Sequence, residues 1–332
     1  MIGQVGSAAA RAGYRWCAAL ALAMAGCNGA SSPESTSTPQ VAVVLWAAAA
    51  EFPLAPVVAA YRKESGVPIE IVHGGDSPPA RTDLVLTADT GALWAMAEQS
   101  GLRPVYSNAL EANVPAALRD PDGMWFGVSW RPLVIVYDPR EVPEEAALPG
   151  YAALAEERWR GRLCLSTSRL AANRLLLAAL IAELGEQAAE DAVRGWVANL
   201  AVTPLASGRE LLAAIAEDRC DIGIVDAGVI AAAPEQSAVA LSAPRALFAV
   251  VTAAGATRHA TNPDGAAALL EWLSAEAAQA IVAAESSALP VHPRVAASPR
   301  MHGTFPPGPV QVAQAASRLG AAALLAERAG YD

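Results

Sequence analysis

WFGVSWRPLVIVYDP, Trp125–Pro139, decides the fold: an apolar run this long, closed by Asp138-Pro139, reads as one extended strand. A second phrase, CDIGIVDAGVI from Cys220 to Ile230, reads as a short buried strand that runs out at Asp226. Strand ends in open α/β sheets are where ligands usually sit. Yet Ala227, Gly228, Val229 and Ile230, which follow, offer no polar side chain to a ligand.

Outward from these strands the chain alternates. Val41–Ala50 is a continuous apolar run suited to a strand buried on both faces. A helix follows through AYRKESG, with Gly66 placed to end it. VPIEIVHGG and Thr82–Asp89 are further strands separated by the loop HGGDSPPART, and TGALWAMAEQSGL starts a helix with Thr90 as its expected N-cap. CLSTSRLAANRLLLAALIAELG reads as strand, loop and helix, SGRELLAAIAEDR as a helix, and Ala246–Gly255 as a strand. DGAAALLEWLSAEAAQAIVAAE is helical, and the tail from Ser286 runs through Pro-rich loop into a last helix. Strands alternating with helices predict a parallel α/β sheet.

With 332 residues, 54% of them hydrophobic, the chain has material for two lobes and a large core. The first 26 residues read as a leader instead. Arg11 and Arg15 give a positive start, and Trp16–Ala25 is an apolar segment too short to span a bilayer. Met24-Ala25-Gly26-Cys27 resembles a bacterial lipoprotein box, in which Cys27 is acylated; ordinary secretory cleavage nearby is the alternative, and both mean export. Residues 27–40, rich in Ser, Thr and Pro, read as a flexible tether. With Cys17 lost and Cys27 acylated, Cys164 and Cys220 remain, an even pair expected to form a disulfide rather than two buried thiols. Losing Arg11 and Arg15 takes the net charge from −10 to −12, which argues against nucleic acid as a partner.

Several segments resemble the ferric-iron-binding proteins of bacterial ABC importers, a branch of the type II periplasmic binding fold. They are ADTGALWAMAEQSGL, LRDPDGMWFGVSWRPLVIVYDP, WRGRLCLSTS, VANLAVTPLASGRELLAAIAEDRCDIGIVDA, ALPVHPRVAASP and the closing ERAGYD. The resemblance implies an α/β fold of two lobes with crossing hinge strands. PLVIVYDP would be the first crossing and ALFAVVTAAG the return, so 41–132 plus 246–332 would form one lobe and 138–240 the other. It also implies a small solute or ion as ligand and the subunits of an ABC permease as partners. The Cys164 and Cys220 positions match a pair that some family members link.

Iron is where the chain departs. The family's ferric ligands are tyrosines just after the strand that ends here at Asp226, and a His often closes the first strand, where this chain has Ala50-Glu51. The ligand is therefore expected to be another small ion or an oxyanion-bearing solute. Arg131 matches a family position facing the cleft, and its planar fork suits an oxyanion; a hinge salt bridge is the alternative. Ser129 is a ligand contact or a structural residue. Glu51, Asp89 and Asp226 each stand at a predicted strand end and could hold a cation, with a helix cap the competing role for Asp89. Trp46 and Trp130 line a cleft or belong to the core. His73, His259, His292 and His302 show no metal spacing and read as loop residues; no nucleophile elbow or phosphate loop occurs. Nothing calls for catalysis or a cofactor. The reading is an extracytoplasmic, membrane-anchored substrate-binding lipoprotein, facing the periplasm or cell exterior. Its rival is an envelope lipoprotein that kept the fold as a sensor or scaffold without transporting.

Overall fold

Two sheets share one strand. In the computed structural model, which describes residues 41–75, 77–143, 150–232, 239–301, 305 and 312–332, the strands are β1 (Val43–Ala48), β2 (Ile69–His73), β3 (Leu84–Thr87), β4 (Phe126–Tyr137), β5 (Leu163–Cys164), β6 (Ile222–Asp226), β7 (Ala240–Ser242) and β8 (Ala249–Ala256). Their order is β2-β1-β3-β8-β4-β6-β5, with β7 also paired to β4. The first part of β4, up to Pro132, pairs with β8. From Leu133 to Tyr137 the same strand pairs with β6. The 125–139 run thus holds a single strand, Phe126–Tyr137, that serves both halves, as the family resemblance implies.

The expectation of a parallel sheet is corrected. β1 runs parallel to β2 and β3, and β5 to β6, but β8 is antiparallel to both β3 and β4, and β4 to β6. A strand that returns between the halves must run against its neighbours, so crossing imposes a mixed sheet.

The helices among the described residues are α1 (Leu54–Ser65), α2 (Thr90–Glu98), α3 (Asn108–Asn113), α4 (Ala171–Leu184), α5 (Glu186–Asn199), α6 (Gly208–Ala216), α7 (Ala227–Ala231), α8 (Pro263–Ser274), α9 (Glu276–Glu285), α10 (Val312–Ala316) and α11 (Leu319–Ala329). Gly66 closes α1 in the left-handed region at φ 73°, a conformation that favours a residue without Cβ. Thr90 is not the cap of α2; Asp89 is, its carboxylate accepting from the Ala92 N–H. A carboxylate also complements the positive end of the helix dipole, which a threonine hydroxyl does not.

The core has two clusters. The first gathers β1, β3, α1, α8 and the first part of β4. The second gathers the far end of β4 with α4, α5 and α11. The last helix therefore packs on α4 and α5, and α10 touches both α2 and α4. The chain after 312 bridges the two halves instead of lying with residues 246–301.

Two devices fix the junction. Tyr151 donates its hydroxyl hydrogen to the Leu133 carbonyl and accepts from the Phe248 N–H, while its ring stacks on Phe248 at 4.8 Å. One side chain thus ties β4 to the return segment as each passes between halves. Cys164 and Cys220 form the expected disulfide, joining β5 to the residue pair before β6. Closing 56 residues stabilises the second half by about 4 kcal/mol in the chain-entropy view. No single helix among the described residues is long and apolar enough to cross a membrane. The leader, the tether and Cys27 lie outside the described residues.

Candidate functional site

The cleft opens where β1, β3 and β6 end and β4 passes between the halves at Arg131. A cavity of about 550 Å³ is lined there by Trp46, Glu51, Asp89, Arg131, Ser166 and Asp226 among others. A second hollow of about 400 Å³ adjoins it and shares Glu51, Arg131, Ser207, Gly208, Asp226 and Val229.

Arg131 is the hub. β4 carries it toward the junction, and its Nε donates to Asp226 Oδ2 at 2.6 Å while Nη1 lies 2.6 Å from Glu51 Oε2. The Arg131 and Asp226 side chains are each 12% exposed, Glu51 72%. The inner pair is therefore held in a weakly screened setting, and the outer one in water. Burial pulls the basicity of the guanidinium down, but the charges of Asp226 and then Glu51 outweigh it, and its pKa ends above the usual arginine value. Arg131 thus meets the protein's own anions. The two sequence readings of this residue, ligand contact and hinge salt bridge, meet in one group: it lines the cavity and is already paired.

Asp226 does two jobs. Oδ2 takes Arg131, and Oδ1 accepts from the Gly228 N–H at 2.8 Å as the N-cap of α7. Gly228 is then obligatory. A Cβ there would fall 2.5 Å from Arg131 Cδ and 2.6 Å from the Ser287 carbonyl oxygen. The Arg131 stem fills the volume that a side chain at 228 would need.

The remaining expectations separate. Asp89 lines the cavity but spends Oδ1 capping α2. Ser129 lines neither hollow: it is 2% exposed opposite Thr252, and its short side chain cannot span what Arg131 spans. Trp130 is core, with its indole N–H on the Pro290 carbonyl. Trp46 reaches the cavity while donating to the Gly74 carbonyl. His73 closes β2 rather than lying in a loop, His259 sits in an exposed turn and His292 in a buried bend where it accepts from the Arg294 N–H, and His302 lies outside the described residues. Among the described residues no group of three His, Cys, Asp or Glu is placed to hold a metal. None of Tyr61, Tyr106, Tyr137, Tyr151 and Tyr331 lines either hollow. Burial pushes the Tyr61, Tyr151 and Tyr331 phenols up, away from tyrosinate.

One part of the site escaped the sequence reading. The N-terminus of α4 faces the cavity through Leu170, Ala171, Ala172 and Asn173. Its N-cap is Leu170, with no side-chain cap, and the N–H groups of Ala171, Ala172 and Asn173 have no acceptor among the described residues. Beside them Ser166, 3% exposed, holds a hydroxyl with no hydrogen-bond partner. The loop is braced from behind: Tyr331 donates to the Ser166 carbonyl, Asn173 Nδ2 to the Ser166 and Thr167 carbonyls, and Asp332 accepts from Thr167 and Ser168. The available signal was a strand closed by Ser166-Thr167-Ser168 and followed by a helix without a capping residue.

Residues 82–306 match the family model described as bacterial extracellular solute-binding protein. The chain is 31% identical over 259 residues to iron uptake protein A1 of Synechocystis sp., covering 70% of this chain and 71% of that protein. It is 33% identical over 258 residues to iron uptake protein A2 of the same organism, covering 72% and 73%. Among solved structures, the Trichodesmium protein in complex with iron and citrate superposes with TM-score 0.81 at 26% identity, over 88% of this chain and 100% of that one. The Bordetella ferric binding protein gives 0.80 at 26%, with the same coverage. The fold is that of the type II periplasmic binding proteins, as the sequence resemblance implies.

Proposed function

The chain belongs to the bacterial extracellular solute-binding protein family, and from that premise we propose that it delivers a small oxyanion-bearing solute, not tyrosinate-held iron, to an ABC permease. The observation that carries this reading is the unsatisfied end of the cavity. The first turn of α4 lines it through Ala171, Ala172 and Asn173, whose N–H groups have no acceptor among the described residues, and the positive end of a helix favours negative charge. The cavity, about 550 Å³, is of the size that holds small organic ligands.

The ferric relatives support the fold and the transport role. In this reading their metal does not follow to this chain, because Asp226-Ala227-Gly228-Val229-Ile230, without a tyrosine, stands where the resemblance puts the tyrosine phrase. The protein acts by binding and lobe closure, without catalysis. Residues 41–132 with 246–301 form one lobe in this reading and 138–240 the other, β4 and the segment leading into β8 serve as hinge, and the chain after 312, expected in the first lobe, joins the two. Export and anchoring through acylated Cys27 complete the reading.

The test is a thermal-shift and calorimetric screen of small phosphates, carboxylates and sulfonates on protein refolded free of bound solute. At least one should raise Tm with 1:1 stoichiometry, because a ligand selective for the native state adds stability by mass action. If none binds, the sensor or scaffold reading takes its place.

A further inference from the structure

We propose that Arg131 is a built-in counter-cation, which fixes the specificity of the cleft by occupying the position where a free metal ion would otherwise bind. The inference goes beyond the transport role and holds whatever solute fills the rest of the cavity.

Three elements bring the group together. Glu51 comes from the turn after β1, Asp226 from the end of β6, and Arg131 from the strand that joins the halves. Both carboxylates approach the same guanidinium at 2.6 Å, on different nitrogens. Without that cation, the two carboxylates of Glu51 and Asp226 would face each other across a few ångströms. Such a set repels itself until a cation arrives, and oxygen donors of this kind suit hard metal ions. Arg131 satisfies them permanently. Its positive charge also stands in the path of any incoming metal ion.

The packing shows that this place is reserved. The arginine stem and the Ser287 carbonyl together lie where a side chain at 228 would project, so a glycine there lets both pack close. Stem and glycine form one unit. Asp226 is additionally fixed by its bond to the Gly228 N–H, so the same residue orients the carboxylate and leaves room for the arginine. An ordinary surface ion pair would not require a glycine beneath it.

A purely structural salt bridge and a counter-cation differ in one readout: what happens to metal affinity when the charge alone is removed. Arg131→Met keeps the unbranched stem over Gly228 and deletes the guanidinium; Arg131→Gln is the second variant, should the first not fold. The probe is terbium(III), read by luminescence sensitised through Trp46, which lines the same cavity. Wild type and Arg131→Lys should bind terbium only weakly. Arg131→Met or Arg131→Gln should bind it at least tenfold more tightly, and adding Asp226→Asn should abolish the gain. The proposal is overturned if a folded Arg131→Met or Arg131→Gln protein gains nothing, or if wild type already binds terbium as tightly through Asp226. A solute screen that finds no oxyanion would remove the functional reading above while leaving this result standing.

Discussion

At the Arg131 end of the cavity the charged groups satisfy one another, whereas at the α4 end Ser166 Oγ and three backbone N–H groups have no partner among the described residues. Both ends lie in one hollow and draw on similar chemistry, yet only one is unfinished. Completed networks hold a structure; incomplete buried ones are where a ligand contributes most. The conspicuous charge cluster is therefore self-satisfied, and the α4 end is where the proposed solute would bind. This is the reverse of the weighting that residue type alone suggests.

The contrast can be broken by mutation, and the largest effect should come from Asp226. Asp226→Ala leaves the buried Arg131 with only the exposed Glu51 and removes the α7 cap, so we expect a loss of about 3 kcal/mol in urea unfolding. A loss below about 1 kcal/mol would mean that Arg131 relaxes into solvent and that the clasp does not hold the junction. Gly228→Ala comes next. The added methyl meets the Arg131 stem and the Ser287 carbonyl, and should cost about 1–3 kcal/mol through overpacking, partly offset by better helix propensity. A stabilised variant would show that the stem can move away freely.

Ser166→Ala sharpens the comparison from the other end. Its buried hydroxyl makes no bond in the free protein, so stability should hold or rise, by up to about 1–3 kcal/mol. Affinity for the solute found by screening should fall about tenfold, because a ligand oxygen loses a donor. Equal affinity would take Ser166 out of the site. The smallest effect belongs to Glu51→Gln. That carboxylate is 72% exposed, so its pairing should contribute no more than about 0.5 kcal/mol, measurable as a slight shift in urea midpoint that vanishes in high salt.

Much of this was legible in advance. Apolar runs without alternation marked β1 and β4 as buried strands, Gly66 marked a helix end, and cysteine number marked the Cys164–Cys220 bond. Strand-end logic pointed to Glu51, Asp89 and Asp226, and the family resemblance to Arg131, and all four line one cavity. What stayed hidden was who satisfies whom. Arg131 and Asp226 are 95 residues apart, and no local pattern reports a pairing made by two strands crossing between sheets. Alternation set Ser129 on the same face as Arg131, but reach depends on side-chain length, and serine falls short. The α4 site was hidden for a different reason: its chemistry is backbone N–H, which every sequence has and only an omitted cap exposes.

The central claim is that the cleft takes an oxyanion-bearing solute and has no preformed tyrosinate site for iron. Its most direct test is titration of the purified protein with ferric citrate, followed by visible absorbance and by native mass spectrometry on the same samples. No tyrosinate-to-iron charge-transfer band should grow in, no iron should be retained after desalting, and any mass added should be that of an organic or inorganic anion alone. A strong visible band with one iron per chain, lost on replacing Tyr61, Tyr106, Tyr137, Tyr151 or Tyr331, would contradict the account.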